Sequence, residues 1–189
     1  MEQIRYGIVG TGGMGSGHAR TMQRVEECRL TAVCDVQRDV AMEVGEQYDV
    51  PYFTDYRELI DLDDVDAVIV ATPHYFHPEV AIYAMERGKA VISEKPIAVT
   101  VSAADAMVAA AERSGTPFAV MHQRRSEPVW QAAWKVVSEG RLGEIYRTML
   151  VYADFRTQAY YDSAGWRATW AGEGGGVLIN QAPHSIDLF

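Results

Sequence analysis

Ile8-Val9-Gly10-Thr11-Gly12-Gly13-Met14-Gly15 decides the fold. The glycines stand at the three fingerprint positions, directly after an apolar run over 4–9 and ahead of a helix-like stretch over 15–25. Gly10 suits a tight turn, Gly12 lets backbone approach a pyrophosphate, and Gly15 lets the next helix pack closely on its strand. Unpaired N–H groups at the start of that helix would then face the phosphates. Gly10, Thr11, Gly12, Gly13, Met14 and Gly15 are therefore candidate dinucleotide contacts. An ordinary flexible glycine loop is the alternative, and the flanking strand and helix patterns weigh against it.

Outward from this stretch, short apolar runs recur at 30–34, 67–71, 90–93 and 118–122. Helical spacing fills 36–47, 78–87 and 101–113, with Thr100 or Ser102 as cap of the last. Five buried strands alternating with helices predict an α/β Rossmann architecture, a doubly wound parallel sheet covered on both faces, over residues 1–122. The chain then leaves the sheet through Gln123-Arg124-Arg125-Ser126-Glu127-Pro128 into a new helix that opens a second, partial unit over 123–189. There Trp130, Trp134 and Val137 recur at helical spacing, which predicts that the tryptophans pack in a core. Gly140 and Gly143 supply a turn before an extended run over 144–153, and an aromatic loop over 154–176 either shapes a ligand pocket or covers an interface.

Several side chains at the predicted strand ends carry chemistry. Asp35, after the second run, either accepts hydrogen bonds from an adenosine ribose or caps the following helix. A carboxylate there favours NAD, while nearby Arg38 could compensate the extra phosphate of NADP. Thr72, Pro73, His74 and His77 form a loop beyond the third run, where parallel sheets bind ligands; each histidine could equally hold the loop together. Neither histidine has the neighbours of a convincing metal site, so no metal is expected. Glu94, Lys95 and Pro96 end the next run beside the presumed cofactor crevice and are candidate cofactor contacts; Lys95 can also stabilise a developing alkoxide or move a proton, unless the pair is only a salt-bridged turn. Near the end, Asn180, His184 and Asp187 fall on one face of a predicted helix, where His184 can take a proton and Asn180 can orient a hydroxyl. A helix-stabilising network is the competing reading.

Composition narrows the function class. With 189 residues, 48% apolar and 23% charged, the chain can bury a sizeable core without disulfides or metal. Cys28 and Cys34 are too few for a secreted framework and read as inert thiols in a reducing compartment. A formal charge of −9 opposes broad binding to nucleic acid. The start lacks a leader pattern and no apolar run reaches membrane length, so a cytoplasmic location is expected.

Taken together, Gly10-Thr11-Gly12-Gly13-Met14-Gly15, Glu94-Lys95-Pro96 and Gly174-Gly175-Gly176-Val177-Leu178-Ile179-Asn180-Gln181-Ala182-Pro183-His184-Ser185-Ile186-Asp187 resemble the glucose-fructose oxidoreductase/inositol dehydrogenase (Gfo/Idh/MocA) family. Thr72-Pro73 with His77, and Gly140-Arg141-Leu142-Gly143-Glu144-Ile145, fall in the family's order. The resemblance implies a nicotinamide-binding Rossmann domain followed by a substrate and oligomerisation domain built on an open sheet. Members run well beyond this length, so a C-terminally truncated chain is expected, and a homo-oligomer for the full-length form. It further implies hydride transfer between NAD, or NADP, and a CH–OH/C=O centre of a sugar, nucleotide sugar or cyclitol. Lys95 and His184 fall on the family's acid–base positions, and Pro96 on a motif that often holds a cis Lys–Pro bond. Asn180 stands where inositol-dehydrogenase-like members carry aspartate, which is similar to an Asn-Gln branch among nucleotide-sugar dehydrogenases and leaves His184 as the base. Arg124, Arg125, Trp166 and Arg167 are candidate contacts to substrate hydroxyls or phosphates. Two other outcomes stay open: a catalytically quiet nicotinamide-binding sensor or structural subunit, and an NAD-dependent glycoside hydrolase.

Overall fold

In a computed structural model, which describes residues 3–189, the chain divides into one unit ending at Val120 and a second, Met121–Phe189. The first unit follows the alternating pattern. Its strands are β1 (Ile4–Val9), β2 (Cys28–Cys34), β3 (Tyr52–Phe53), β4 (Ala67–Val70), β5 (Ala90–Ser93) and β6 (Phe118–Val120). Its helices are α1 (Gly13–Met22), α2 (Arg38–Tyr48), α3 (Tyr56–Ile60), α4 (His77–Glu86) and α5 (Val101–Ser114). All pairings are parallel, in the order β3-β2-β1-β4-β5-β6. The sheet winds outward in both directions from β1 and β4, which places a ligand crevice at their carboxyl ends.

Period-two alternation along the central strands builds a core on each face. Val68 and Val70 of β4 face one side with Leu59, Ile60, Val80, Met85 and Met107 from α3, α4 and α5. Ile69, between them, turns the other way to join Ile8, Val33, Ala19, Met22 and Val44, the last three from α1 and α2. Each fully buried Val or Ile contributes about 1.5–3 kcal/mol relative to exposure. Burial on both faces is why these strands read as continuous apolar runs.

Two elements differ from the sequence reading. β3 and α3 were not anticipated, because a strand of two residues and a helix of five are too short to show a period. Of the two candidate caps for α5, Thr100 serves, its hydroxyl accepting the Ala103 N–H at 3.2 Å.

The second unit contains α6 (Pro128–Ser138), α7 (Gln158–Asp162) and α8 (Pro183–Leu188), and no strand among its described residues. The extended run over 144–153 stays irregular, since an isolated strand leaves its backbone groups without ladder partners. Without a sheet to lie on, α6 keeps its apolar face exposed: Trp134 is 72% and Trp130 36% accessible, which overturns their assignment to a core. Among the described residues no helix is long and apolar enough to cross a membrane.

Candidate functional site

The fingerprint loop follows β1 and is shaped by two close approaches. Gly10 sits at φ +89°, and a Cβ there would meet backbone atoms of Ala71 and Thr72 at 2.6–2.8 Å. A Cβ on Gly15 would lie 1.8 Å from the Gly10 carbonyl oxygen, so α1 can start this close to β1 only with glycine. Gly12 and Gly13 have the opposite surroundings: open space above both and high exposure. No side chain caps α1, leaving first-turn N–H groups to face an anion in that opening. The buried hydroxyls of Thr11 and Thr72 have no hydrogen-bond partner among the described residues. An open glycine cradle at an uncapped helix start, rimmed by orphaned hydroxyls, fits a dinucleotide pyrophosphate.

Asp35 closes the far side of the loop. Its carboxylate accepts the Thr11 N–H and the Gln37 N–H, each at 2.9 Å. It does not cap α2, whose N-cap is Gln37, so the capping alternative falls. Arg38 begins α2 at the surface, and its hydrogen bond with Tyr52 raises its pKa. Met14 is 54% exposed at the mouth of the loop. Cys34, just before Asp35, is an unreactive thiol, pushed up to about 12 by burial and by nearby carboxylates.

The Thr72–His77 loop beyond β4 and the Glu94-Lys95-Pro96 turn beyond β5 are joined to each other. His77 has no exposed surface; its ring nitrogens face the Pro96 carbonyl at 2.9 Å and the Thr72 carbonyl at 2.8 Å. Burial holds its pKa below the ordinary imidazole value against the raising effect of those carbonyls. Both nitrogens being engaged, His77 supports the loop from beneath and is not placed to contact a cofactor, which is the second of the two roles the sequence left open. His74 is also buried, its ring edge-on to His77 with centroids 5.8 Å apart, while Pro73 enters the short 3-10 turn over His74–Phe76 that leads into His77 and α4. The Lys95–Pro96 bond is cis.

Glu94 is 7% exposed, and both of its oxygens are used. One accepts from His18 Nε2 of α1 at 2.7 Å and the other from the Lys95 N–H at 3.3 Å. Burial opposes its ionisation, but the His18 hydrogen bond and charge and the Lys95 contacts outweigh that, holding Glu94 below the usual carboxylate range. Lys95 itself is partly exposed. Contacts thus run in a ring through Gly10, Thr72, His77, Pro96, Lys95, Glu94 and His18, back to α1, which Gly15 lets pack against Gly10. Sequence reading missed His18, whose only signal is its position one helical turn after Met14.

In the second unit the expected Asn180–His184–Asp187 helix is shorter. α8 holds His184 and Asp187 but begins at Pro183, and Asn180 lies in the preceding turn with its N–H on the Gly176 carbonyl. Asn180 is buried there, its amide donating to buried Glu173, whose other oxygen accepts the Ala168 N–H at 3.0 Å. Asp187 accepts two bonds from Arg125, at 2.8 and 2.5 Å, and lies 3.6 Å from His122 Nδ1. The Arg125 contact holds its pKa below the ordinary range, so Asp187 serves Arg125 first and the His184 helix second. Arg167 donates to the Tyr160 hydroxyl at 2.7 Å and stacks over the Tyr160 and Trp166 rings at 4.4 and 4.8 Å. A cavity of about 340 Å³ opens beside the aromatic loop, lined by Tyr152, Asp154, Arg156, Tyr161, Trp170 and Gln181 among others. None of Arg124, Arg125, Trp166, Arg167 or Asn180 lines it; Tyr161 and Trp170 come from the aromatic loop that the sequence offered as a pocket wall, while Arg156 is a charged group there that sequence reading passed over.

Known proteins match both units. A family model described as an oxidoreductase family with an NAD-binding Rossmann fold covers residues 4–122, and the GFO/IDH/MocA C-terminal domain covers 130–189. Among curated relatives, 2,7-anhydro-N-acetylneuraminate hydratase of Mediterraneibacter gnavus is 36% identical over 77% of this chain and 38% of its own length. Inositol 2-dehydrogenase of Rubrobacter xylanophilus is 33% identical over 98% of this chain and 51% of its own. The chain therefore spans about half the length, or less, of these relatives. The WlbA dehydrogenase of Bordetella pertussis, solved in complex with NADH and UDP-GlcNAcA, superposes with a TM-score of 0.89 at 31% identity, covering 100% of this chain and 56% of that one.

Proposed function

Because this chain belongs to the GFO/IDH/MocA oxidoreductase family, with its NAD-binding Rossmann fold, we propose that the protein carrying it exchanges a hydride between NAD and a CH–OH/C=O centre of a sugar-like substrate. The observation that carries this reading is the ring of contacts that joins the open glycine cradle to the Lys95 turn. NAD, when bound, supplies or accepts the hydride. Gly12, Gly13 and the α1 N–H groups hold its pyrophosphate, the Thr72 hydroxyl and Met14 border it, and Asp35 takes the adenosine ribose. Asp35 places a carboxylate where NADP would bring a further phosphate, so NAD is preferred, with exposed Arg38 the nearby group that could offset that charge.

For the substrate, Lys95 has the role of stabilising oxygen charge as it develops, and His184 the role of the acid–base group. Asn180, having no titratable group, orients a hydroxyl, its amide fixed by Glu173. Relatives named for inositol and for a complex with UDP-GlcNAcA direct the choice toward cyclitols and nucleotide sugars. The test is NADH fluorescence on the complete protein, followed by a panel of sugars, cyclitols and UDP-sugars. Expected are binding of NAD ahead of NADP and NADH formation with at least one class. Failure to bind either dinucleotide overturns the cofactor assignment, and substrate conversion without NADH accumulation points to a redox-neutral reaction such as the hydratase relative's name describes. Lys95→Met is expected to lower turnover by about 10²–10⁴-fold with NAD affinity retained, and His184→Asn to act in the same direction.

A further inference from the structure

His18 and Glu94 form a buried pair that the proposed chemistry does not itself use. They lie 76 residues apart in sequence, their side chains are 17% and 9% exposed, and they meet at 2.7 Å. An ionised carboxylate offers only acceptors, so His18 donates through Nε2. Sequestering a carboxylate from water costs free energy that an apolar pair of similar size would not, so such a contact is a poor choice for packing alone. Its geometry has a specific consequence: the same carboxylate that His18 holds from α1 accepts the backbone N–H of Lys95 at 3.3 Å.

We infer that His18 is a positioning residue for Lys95: through Glu94 it fixes the backbone of the Lys95 turn to the helix whose start forms the phosphate cradle. This rests on the reading of Lys95 as the oxygen-stabilising group. His77 grips the other side of the turn at Pro96; the Glu94 N–H is held by the Val70 carbonyl at 2.8 Å, and His18 holds the Glu94 carboxylate that reaches Lys95. Two anchors from different helices leave the Lys95 backbone little freedom to shift, and catalytic efficiency falls steeply when a reacting group is displaced by even about 1 Å.

The test compares His18→Ala, His18→Asn and His18→Gln in the complete protein. Glutamine brings an amide N–H close to where His18 Nε2 lies, asparagine falls short of Glu94, and alanine has no donor. One readout needs neither cofactor nor turnover: trace labelling by acetic anhydride, with acetylation of Lys95 quantified by mass spectrometry against exposed Lys135. Release of the turn is expected to raise Lys95 labelling about threefold or more in His18→Ala and His18→Asn, and to leave His18→Gln near wild type. In turnover, the first two are expected to lose roughly 10–100-fold in kcat with NAD affinity within about threefold, and glutamine to restore most of the rate. Unchanged Lys95 labelling in a folded His18→Asn protein, or glutamine behaving like alanine, overturns the inference. If Lys95→Met keeps full turnover, the catalytic reading of Lys95 fails instead, and labelling still reports whether His18 holds that turn.

Discussion

The two units place candidate site residues by different means. In the first, every such group follows a strand of one parallel sheet, and the loops are fastened to one another by His77, Glu94 and Asp35. In the second, Asn180 and His184 sit on a turn and a helix of six residues, fixed by Glu173 and the surrounding backbone, while α6 leaves tryptophan in solvent. Strands buried on two faces fix their loops through many simultaneous contacts; short helices without a covering layer depend on a few polar bonds. The difference teaches that the glycine loop of the first unit is held by the sheet itself, whereas the candidate residues of the second unit are held by local pairs such as Arg125–Asp187 and Arg167–Tyr160.

The sharpest way to break that comparison is within the glycine loop. Gly15→Ala drives a methyl into the Gly10 carbonyl and is expected to cost about 3 kcal/mol or more in chemical denaturation. Gly12→Ala meets only open space, so stability should stay within about 1 kcal/mol while NAD binding weakens about tenfold or more. Equal stabilities for the two variants would show that the loop is not built as described. Next in size, Leu59→Ala empties a fully buried site between the sheet and α3 and should cost about 2–5 kcal/mol.

A smaller effect tests the loop anchor. Burial lowers the His77 pKa in the folded state, so as pH falls below the ordinary imidazole value, near 6.5, the unfolded chain takes up that proton first. Stability attributable to neutral His77 is therefore complete above that range and declines as pH drops below it. His77→Asn should flatten the dependence of Tm on pH between 7 and 5, and an unaltered slope would contradict the buried neutral ring. Smallest of all, Trp134→Ser on exposed α6 is expected to change the stability of this chain by about 0.5 kcal/mol or less. A loss comparable with Leu59→Ala would show that the second unit has a core around that tryptophan.

Much of the first unit was legible because its signals are local. Apolar runs marked β1, β2, β4, β5 and β6, and glycine spacing marked the cradle, since turn geometry and close approach each impose a residue type at a fixed place. Tyr52–Phe53 escaped because two residues carry no period. Trp130 and Trp134 misled because an amphipathic helix announces an apolar face without stating whether a partner covers it. His18 and His77 show the same limit from the other side: each is a single histidine in sequence, and nothing nearby reveals that one reaches Glu94 and the other Pro96.

By itself the sequence determined the order of β1, β2, β4, β5 and β6 with the longer helices between them, the parallel sheet, the glycine cradle and the family resemblance, because these follow from periodicity, backbone sterics and motif order along the chain. Tertiary structure alone decided which polar groups meet: that Asp35 holds Thr11 rather than capping α2, that His77 lies beneath the loop, and that Glu94 ties Lys95 to α1. Hydrogen bonds of this kind depend on positions brought within about 3 Å by the packing of distant segments, a distance that residue spacing along the chain does not encode.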